Sequence, residues 1–236
     1  MPRLDDRRND ELRPLSLERG ANPYAEGSCL IRAGGTLVHC TASVEDKAPP
    51  WRKGTGKAWV TAEYAMLPRA TSERTNRERR GAGGRTQEIQ RLIGRSLRAA
   101  MGTLEFGEFT IRIDCDVLQA DGGTRTASIT GGCVALADAC RWLAAEAGIE
   151  NPFGQLVAAV SVGMVDGQPM LDLAYVEDKD AEVDANIVMV HPDRFVEVQG
   201  TGEASTFARS ELTALLDLAE RGIHQLFAEQ ERVLAS

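Results

Sequence analysis

The sequence predicts an α/β protein of the α+β kind, with mixed sheets and packed helices arranged as two strand-then-helix halves. Three observations carry that expectation. Strand-like runs at 28–33, 36–44, 58–67 and 109–120 are interleaved with helix-like runs at 86–101 and 127–147. The order then recurs, with strands at 156–165, 170–176, 185–190 and 195–200 before a closing helix at 208–228. Finally, 236 residues at 43% hydrophobic can bury one large core or the cores of two small lobes. The halves divide into 1–150 and 151–236, with Gly148 and Pro152 closing the first.

Taken in order, residues 1–27 read as an irregular, charged arm with turns at Pro14 and Pro23. Gly34-Gly35 between two strand-forming runs is a hairpin signal, and Pro49-Pro50 with two following glycines makes 46–57 a loop. The stretch 69–84 is polar and basic with almost nothing apolar to bury, so it is expected to be exposed. In 86–101, Ile89, Leu92, Ile93 and Leu97 share one helical face while Arg91, Arg95 and Arg98 line another. The run 109–120 alternates Ile111, Ile113, Cys115 and Val117 against Arg112, Asp114 and Asp116, which is strand period. By contrast 127–147 is apolar around its whole circumference and is expected to lie buried between layers. Asp166-Gly167 marks a second hairpin, 177–184 an acidic connection, and Leu212, Leu215, Leu216, Ala219 and Leu226 the buried face of the last helix.

Charge is unevenly placed. Nine arginines against Glu73, Glu78 and Glu88 give 69–98 a local balance of +6, so the net −8 leaves −14 on the rest of the chain. A concentrated positive stripe on an acidic protein points to a specific polyanion-binding surface, and an all-arginine excess favours phosphate contacts. A solvated loop would also accommodate it. The five cysteines (Cys29, Cys40, Cys115, Cys133 and Cys140) lack metal-ligand spacing and fall in apolar runs. They read as free core thiols, consistent with a reducing cytoplasm. With no apolar run near a membrane span and no signal core at the N-terminus, no membrane association is expected.

The chemistry concentrates in two places. The first is Asp121-Gly122-Gly123-Thr124-Arg125-Thr126, where a strand turns into a helix. Two glycines allow a sharp turn and close backbone approach, the helix start offers open N–H groups and positive dipole, and Arg125 adds a fork of donors. That is an anion site, most naturally for phosphate; a capped glycine turn with Arg125 in a salt bridge fits the same residues. Arg85, just ahead of the helix at 86–101, can present a second guanidinium, or can be a solvated loop arginine. The second place is the acidic connection, where Asp178 and Asp184 flank strand-forming runs. Converging carboxylates of this kind hold Mg²⁺ or donate a proton to a leaving oxygen, although charged turns have the same composition. His39, His191 and His224 are scattered and form no cluster.

Several motifs together resemble the ribonuclease PH family, which is related to polynucleotide phosphorylase and the exosome core subunits. They are Glu11-Leu12-Arg13-Pro14, Thr61-Ala62-Glu63-Tyr64, Glu88-Ile89-Gln90-Arg91-Leu92-Ile93-Gly94-Arg95, Asp114-Cys115-Asp116-Val117, Ala120-Asp121-Gly122-Gly123-Thr124-Arg125, Glu177-Asp178, Ala181-Glu182-Val183-Asp184 and Glu197-Val198-Gln199-Gly200. The similarity runs nearly end to end. It implies a two-lobed fold of the ribosomal-S5-domain-2-like kind, assembled as a homo-oligomeric, hexameric ring (a trimer of dimers). It also implies a phosphate-dependent 3′→5′ exoribonuclease, a nucleotidyltransferase that trims tRNA precursors and other structured RNA ends. Inorganic phosphate would be the co-substrate and Mg²⁺ the cofactor. By motif match, Gly123, Thr124 and Arg125 bind the attacking phosphate with support from Arg85. Asp178 and Asp184 are the catalytic, metal-associated acids, with Arg125 also catalytic. Arg69, Arg74 and Arg77 engage the tRNA. A non-catalytic ring subunit and a metal-dependent hydrolase are the competing classes, separated by product: none, or a monophosphate, in place of a nucleoside diphosphate.

Overall fold

The computed structural model describes residues 3, 6–78, 81–203 and 206–236; Arg79 and Arg80 of the basic stretch, and part of the charged arm, lie outside them. The first half forms a five-stranded sheet from β1 (Leu15–Arg19), β2 (Gly27–Ala33), β3 (Thr36–Glu45), β4 (Trp59–Met66) and β5 (Thr110–Gln119), in the order β1-β2-β3-β5-β4. Neighbours pair antiparallel except β4 with β5, which are parallel. Parallel neighbours need a crossover, and α1 (Gly84–Ala99) supplies it between them. The second half is an antiparallel sheet, β7-β6-β8-β9, made of β6 (Val157–Val165), β7 (Gln168–Leu171), β8 (Val183–Val190) and β9 (Arg194–Gly202).

Between the sheets runs α2 (Thr124–Ala147), packed against β2, β3 and β5 on one side and β6 on the other. Its apolar circumference demands this: exposing any face would leave Ile129, Val134 or Leu136 in water, and all three are fully buried. Most buried residues of both sheets, α1, α2 and α4 (Arg209–Leu234) form one continuous cluster, with Met170 of β7 in a smaller one beside Leu173 and Ala181. All five cysteines are buried and free, and burial pushes the thiols of Cys29, Cys133 and Cys140 up to about 12. They are inert packing residues, as the sequence predicts.

Both hairpins form at the expected places, with Gly34 (φ +56) in the first and Asp166 (φ +50) and Gly167 (φ +67) in the second. Four expectations need correction. The arm is not irregular throughout: between Pro14 and Gly20, Leu15 and Leu17 give a short edge strand, β1, on β2. The strand expected at 170–176 stops at Leu171, because Asp172 turns left-handed (φ +53) and is anchored from the arm. The acidic connection is then a short helix, α3 (Tyr175–Asp180), whose start is capped by Glu177 accepting the Ala174 N–H at 2.8 Å. The last helix also continues to Leu234, beyond its expected end. No helix among the described residues is long and apolar enough to cross a membrane.

Candidate active site at the start of the central helix

Where β5 passes into α2, Gly122 (φ +76) and Gly123 (φ +62) are both left-handed, a conformation that disfavours any side chain. Gly122 is also sterically required. A Cβ there would lie 2.5 Å from the Leu173 carbonyl oxygen and 2.9 Å from Tyr175 N, so the junction rests directly on the segment leading into α3. Thr36 Oγ1 holds the turn from β3, donating to Gly122 O at 2.6 Å and accepting the Asp121 N–H at 2.9 Å. No side chain caps α2, so its first-turn N–H groups stay open to an anion.

Both α1 and α2 begin one residue or more earlier than the sequence periodicity indicates, which places Arg85 and Arg125 each in a first helical turn. Arg125, largely buried, is held by Gln199 on β9: its Nη1 donates to Gln199 Oε1 at 3.0 Å and lies 3.6 Å from Glu88 Oε2 on α1. Gln199 Nε2 donates to Glu88 Oε1 at 3.3 Å, closing a triangle between α2, β9 and α1. Thr124 Oγ1 is 2.8 Å from the Tyr64 hydroxyl on β4. Burial raises the Tyr64 pKa, while Thr124, Arg85 and Arg125 oppose that rise; both guanidinium groups therefore act on this side of the junction.

The acids meet the arginines here. Burial raises the Asp178 pKa, and Arg125 and Arg85 pull it back down. Burial and then the neighbouring Asp178 carboxylate push Asp184 up to about 6, with Arg125 again opposing. Asp184 Oδ1 is buried and has no hydrogen-bond partner among the described residues. A buried carboxylate oxygen without a donor is a costly arrangement unless a proton or cation completes it. The structure thus brings together Gly123, Thr124, Arg125, Arg85, Asp178 and Asp184.

Residues 11–141 match the 3′ exoribonuclease family, domain 1, and residues 155–222 match domain 2 of the same family. The chain belongs to the 3′ exoribonuclease family. Ribonuclease PH of Methylobacterium radiotolerans is 56% identical over 237 residues, covering 99% of this chain and 100% of its own length. The fold is shared with the crystal structure of rice (Oryza sativa) Rrp46, with TM-score 0.80, 20% identity, and 99% of this chain and 100% of that one covered. The Archaeoglobus fulgidus exosome with RNA bound to the active site matches at TM-score 0.80 and 21% identity, over 95% of this chain and 91% of that one.

In this 3′ exoribonuclease the other predicted site arginines lie on a loop. Arg69, Arg74 and Arg77 are exposed on the loop between β4 and α1 and form no ion pair among the described residues; Arg74 donates to Asn76 Oδ1 at 3.3 Å. The root of that loop is tied beside the junction, since Ala70 O accepts the Ala120 N–H at 2.8 Å. Sequence reasoning gave no role to Tyr64, Glu88, Gln199 or Thr36. The first three lie within the family motifs, but only the meeting of β4, β9 and α1 shows what they hold.

For Mg²⁺, no group of three or more His, Cys, Asp and Glu side chains among the described residues could hold a metal. The pair Asp178 and Asp184 nonetheless fits this ion, which takes one or two carboxylates and keeps several waters. The partnerless Asp184 Oδ1 is the atom such an ion would satisfy.

Proposed function

We infer that this site carries out the family's reaction, phosphate-dependent 3′→5′ exoribonuclease action on tRNA 3′ ends. The observation that supports the assignment is that the glycine junction of the anion-binding half rests directly on the segment leading into α3, which bears Asp178, with Arg125 and Arg85 both acting electrostatically on that acid. The open N–H groups of α2 and the two guanidiniums neutralise an incoming phosphate. Its oxygen attacks the terminal phosphodiester, the bond to the 3′ oxygen breaks, and a nucleoside diphosphate leaves with an RNA one nucleotide shorter. Asp178 and Asp184 would hold Mg²⁺, which when bound neutralises charge on the departing 3′ oxygen. Two mutually repelling anions are thus held in line by fixed donors, so the chain contributes positioning and charge rather than covalent chemistry.

The deciding measurement is incubation of a 3′-extended tRNA with and without phosphate, with identification of the released nucleotide. A diphosphate that appears only with phosphate is expected. A monophosphate would make the chain a hydrolase, and no release would make it a scaffold.

The exposed arginines at 69, 74 and 77 are assigned to gripping the tRNA body. An A-form stem offers phosphates rather than readable base edges, so the grip should ignore sequence. Replacing all three with Ala should weaken tRNA precursors more than short unstructured RNA, and lower the log–log salt slope by somewhat under one unit for each phosphate no longer gripped. Equal weakening of both substrates over a salt series would place these arginines in the active cleft instead. A hexameric ring built as a trimer of dimers and a cytoplasmic location complete the proposal, the latter supported by five free, buried thiols.

A further inference from the structure

We propose that the buried Arg13–Asp172 pair is a positioning device that locks the phosphate-binding junction to the acid-bearing helix α3. Arg13 donates to one carboxylate three times: backbone N to Asp172 Oδ2 at 2.8 Å, Nε to Oδ2 at 3.0 Å, and Nη2 to Oδ1 at 2.7 Å. Its remaining terminal nitrogen, Nη1, donates to the Asp121 carbonyl at the head of the junction. One guanidinium therefore bonds both the junction and the start of the segment that leads into α3. The pair is out of solvent, with side chains 3% and 9% exposed.

The surroundings are shaped for this residue. A Cβ at Gly34 would lie 2.5 Å from Arg13 Cδ, and one at Gly123 would lie 3.1 Å from Nη2, so glycines clear its path at two turns. Asp172 holds a left-handed backbone (φ +53) at the point where β7 gives way to the approach to α3. That conformation is unfavourable for an aspartate unless its side chain is tied down. The arm strengthens the tie: Arg3 bonds Glu177 of α3 at 2.6 and 2.7 Å and the Leu171 carbonyl at 2.9 Å. Asp178 is the next residue along. A buried ion pair contributes little net stability over an apolar pair of the same volume, but it specifies one geometry. Here that geometry is the spacing between anion site and acids, so the inference rests on the reading of those two as one active site.

Asp172→Asn, Arg13→Lys and Arg13→Gln test it. Asn tolerates the left-handed backbone and keeps one acceptor, but loses the carboxylate fork. Lys keeps the charge but lacks the rigid planar fork, so it holds the carboxylate and Asp121 O together less firmly. On folded protein, verified by circular dichroism and gel filtration, Asp172→Asn and Arg13→Gln should lower kcat and raise KM for phosphate. A combined loss of about 10- to 100-fold is expected from misplacement on the ångström scale. Arg13→Lys should fall between wild type and Arg13→Gln.

Should a variant not fold, amide exchange in the wild type decides: added phosphate should protect 174–178 along with 122–126. Folded variants with a lower thermal midpoint but unchanged kcat and KM, or phosphate protection confined to 122–126, would overturn the proposal. A failure of the site assignment reads differently, since Arg125→Ala would then keep full phosphorolysis in the wild-type background.

Discussion

Arg125→Ala is expected to bind tRNA nearly as well as the wild type and to lose about a hundredfold or more of its phosphorolytic rate. Preorganisation sets the size of that loss. Arg125 does not swing freely: Gln199 Oε1 takes one of its donors at 3.0 Å, Glu88 lies 3.6 Å away, and only 16% of the side chain is exposed. Its fork is therefore already aimed and partly desolvated when phosphate arrives. Removing one preorganised donor of this kind costs about 3–4 kcal/mol in the transition state, which is the hundredfold or more expected. RNA binding should survive because the exposed arginines at 69, 74 and 77 lie on a different loop. The check is kcat at saturating phosphate beside an equilibrium binding titration with the same tRNA. Near wild-type turnover would remove Arg125 from the reaction, and equal losses in binding and rate would make it an RNA contact instead.

Much of this architecture was legible in the chain because local signals and tertiary demands agree. The alternation of Ile111, Ile113, Cys115 and Val117 could satisfy only a strand, and the apolar circumference of 127–140 is met by burial between two layers, whereas Arg141, Trp142 and 145–147 at the end of that helix are exposed. Gly122 and Gly123 were legible as a junction, although not the contact with Leu173 and Tyr175 that makes Gly122 sterically necessary. What the periodicity missed follows from long-range contacts. The residues 170–176 have strand composition, but Arg13, far away in sequence, captures Asp172 and turns the chain into α3. In the same way Gln199 reads as one polar residue of an exposed strand until β9 is seen beside α2 and α1. Polar side chains that hold other side chains have no periodic signature; the motif match flagged their neighbourhoods but gave no partners.

Asp178→Asn and Asp184→Asn are each expected to abolish turnover, and Asp184→Asn should do so while making the metal-free protein more stable at pH 8. The folded-state pKa of Asp184 is about 6, above the ordinary 3.8, chiefly through burial and the adjacent Asp178. The folded protein therefore holds that proton more tightly than the unfolded chain does. Stability is greatest below about pH 4 on this account, falls as the pH rises towards 6, and stays low above it. At pH 8 the ionised carboxylate is a net burden. With one pKa unit worth about 1.4 kcal/mol, its replacement by Asn should return roughly 1–3 kcal/mol. The buried Oδ1 without a partner gives the same sign, since only a proton or a cation completes it. Added Mg²⁺ should accordingly raise the thermal midpoint of the wild type at pH 8 and leave that of Asp184→Asn unmoved, a readout that needs no catalysis. If excess Mg²⁺ restores part of the turnover of Asp178→Asn, that residue acts mainly by holding the ion. Two asparagine variants with full activity, or an Asp184→Asn protein less stable than wild type at pH 8 without metal, would remove these acids from the site and leave the leaving oxygen without its stabilising partner.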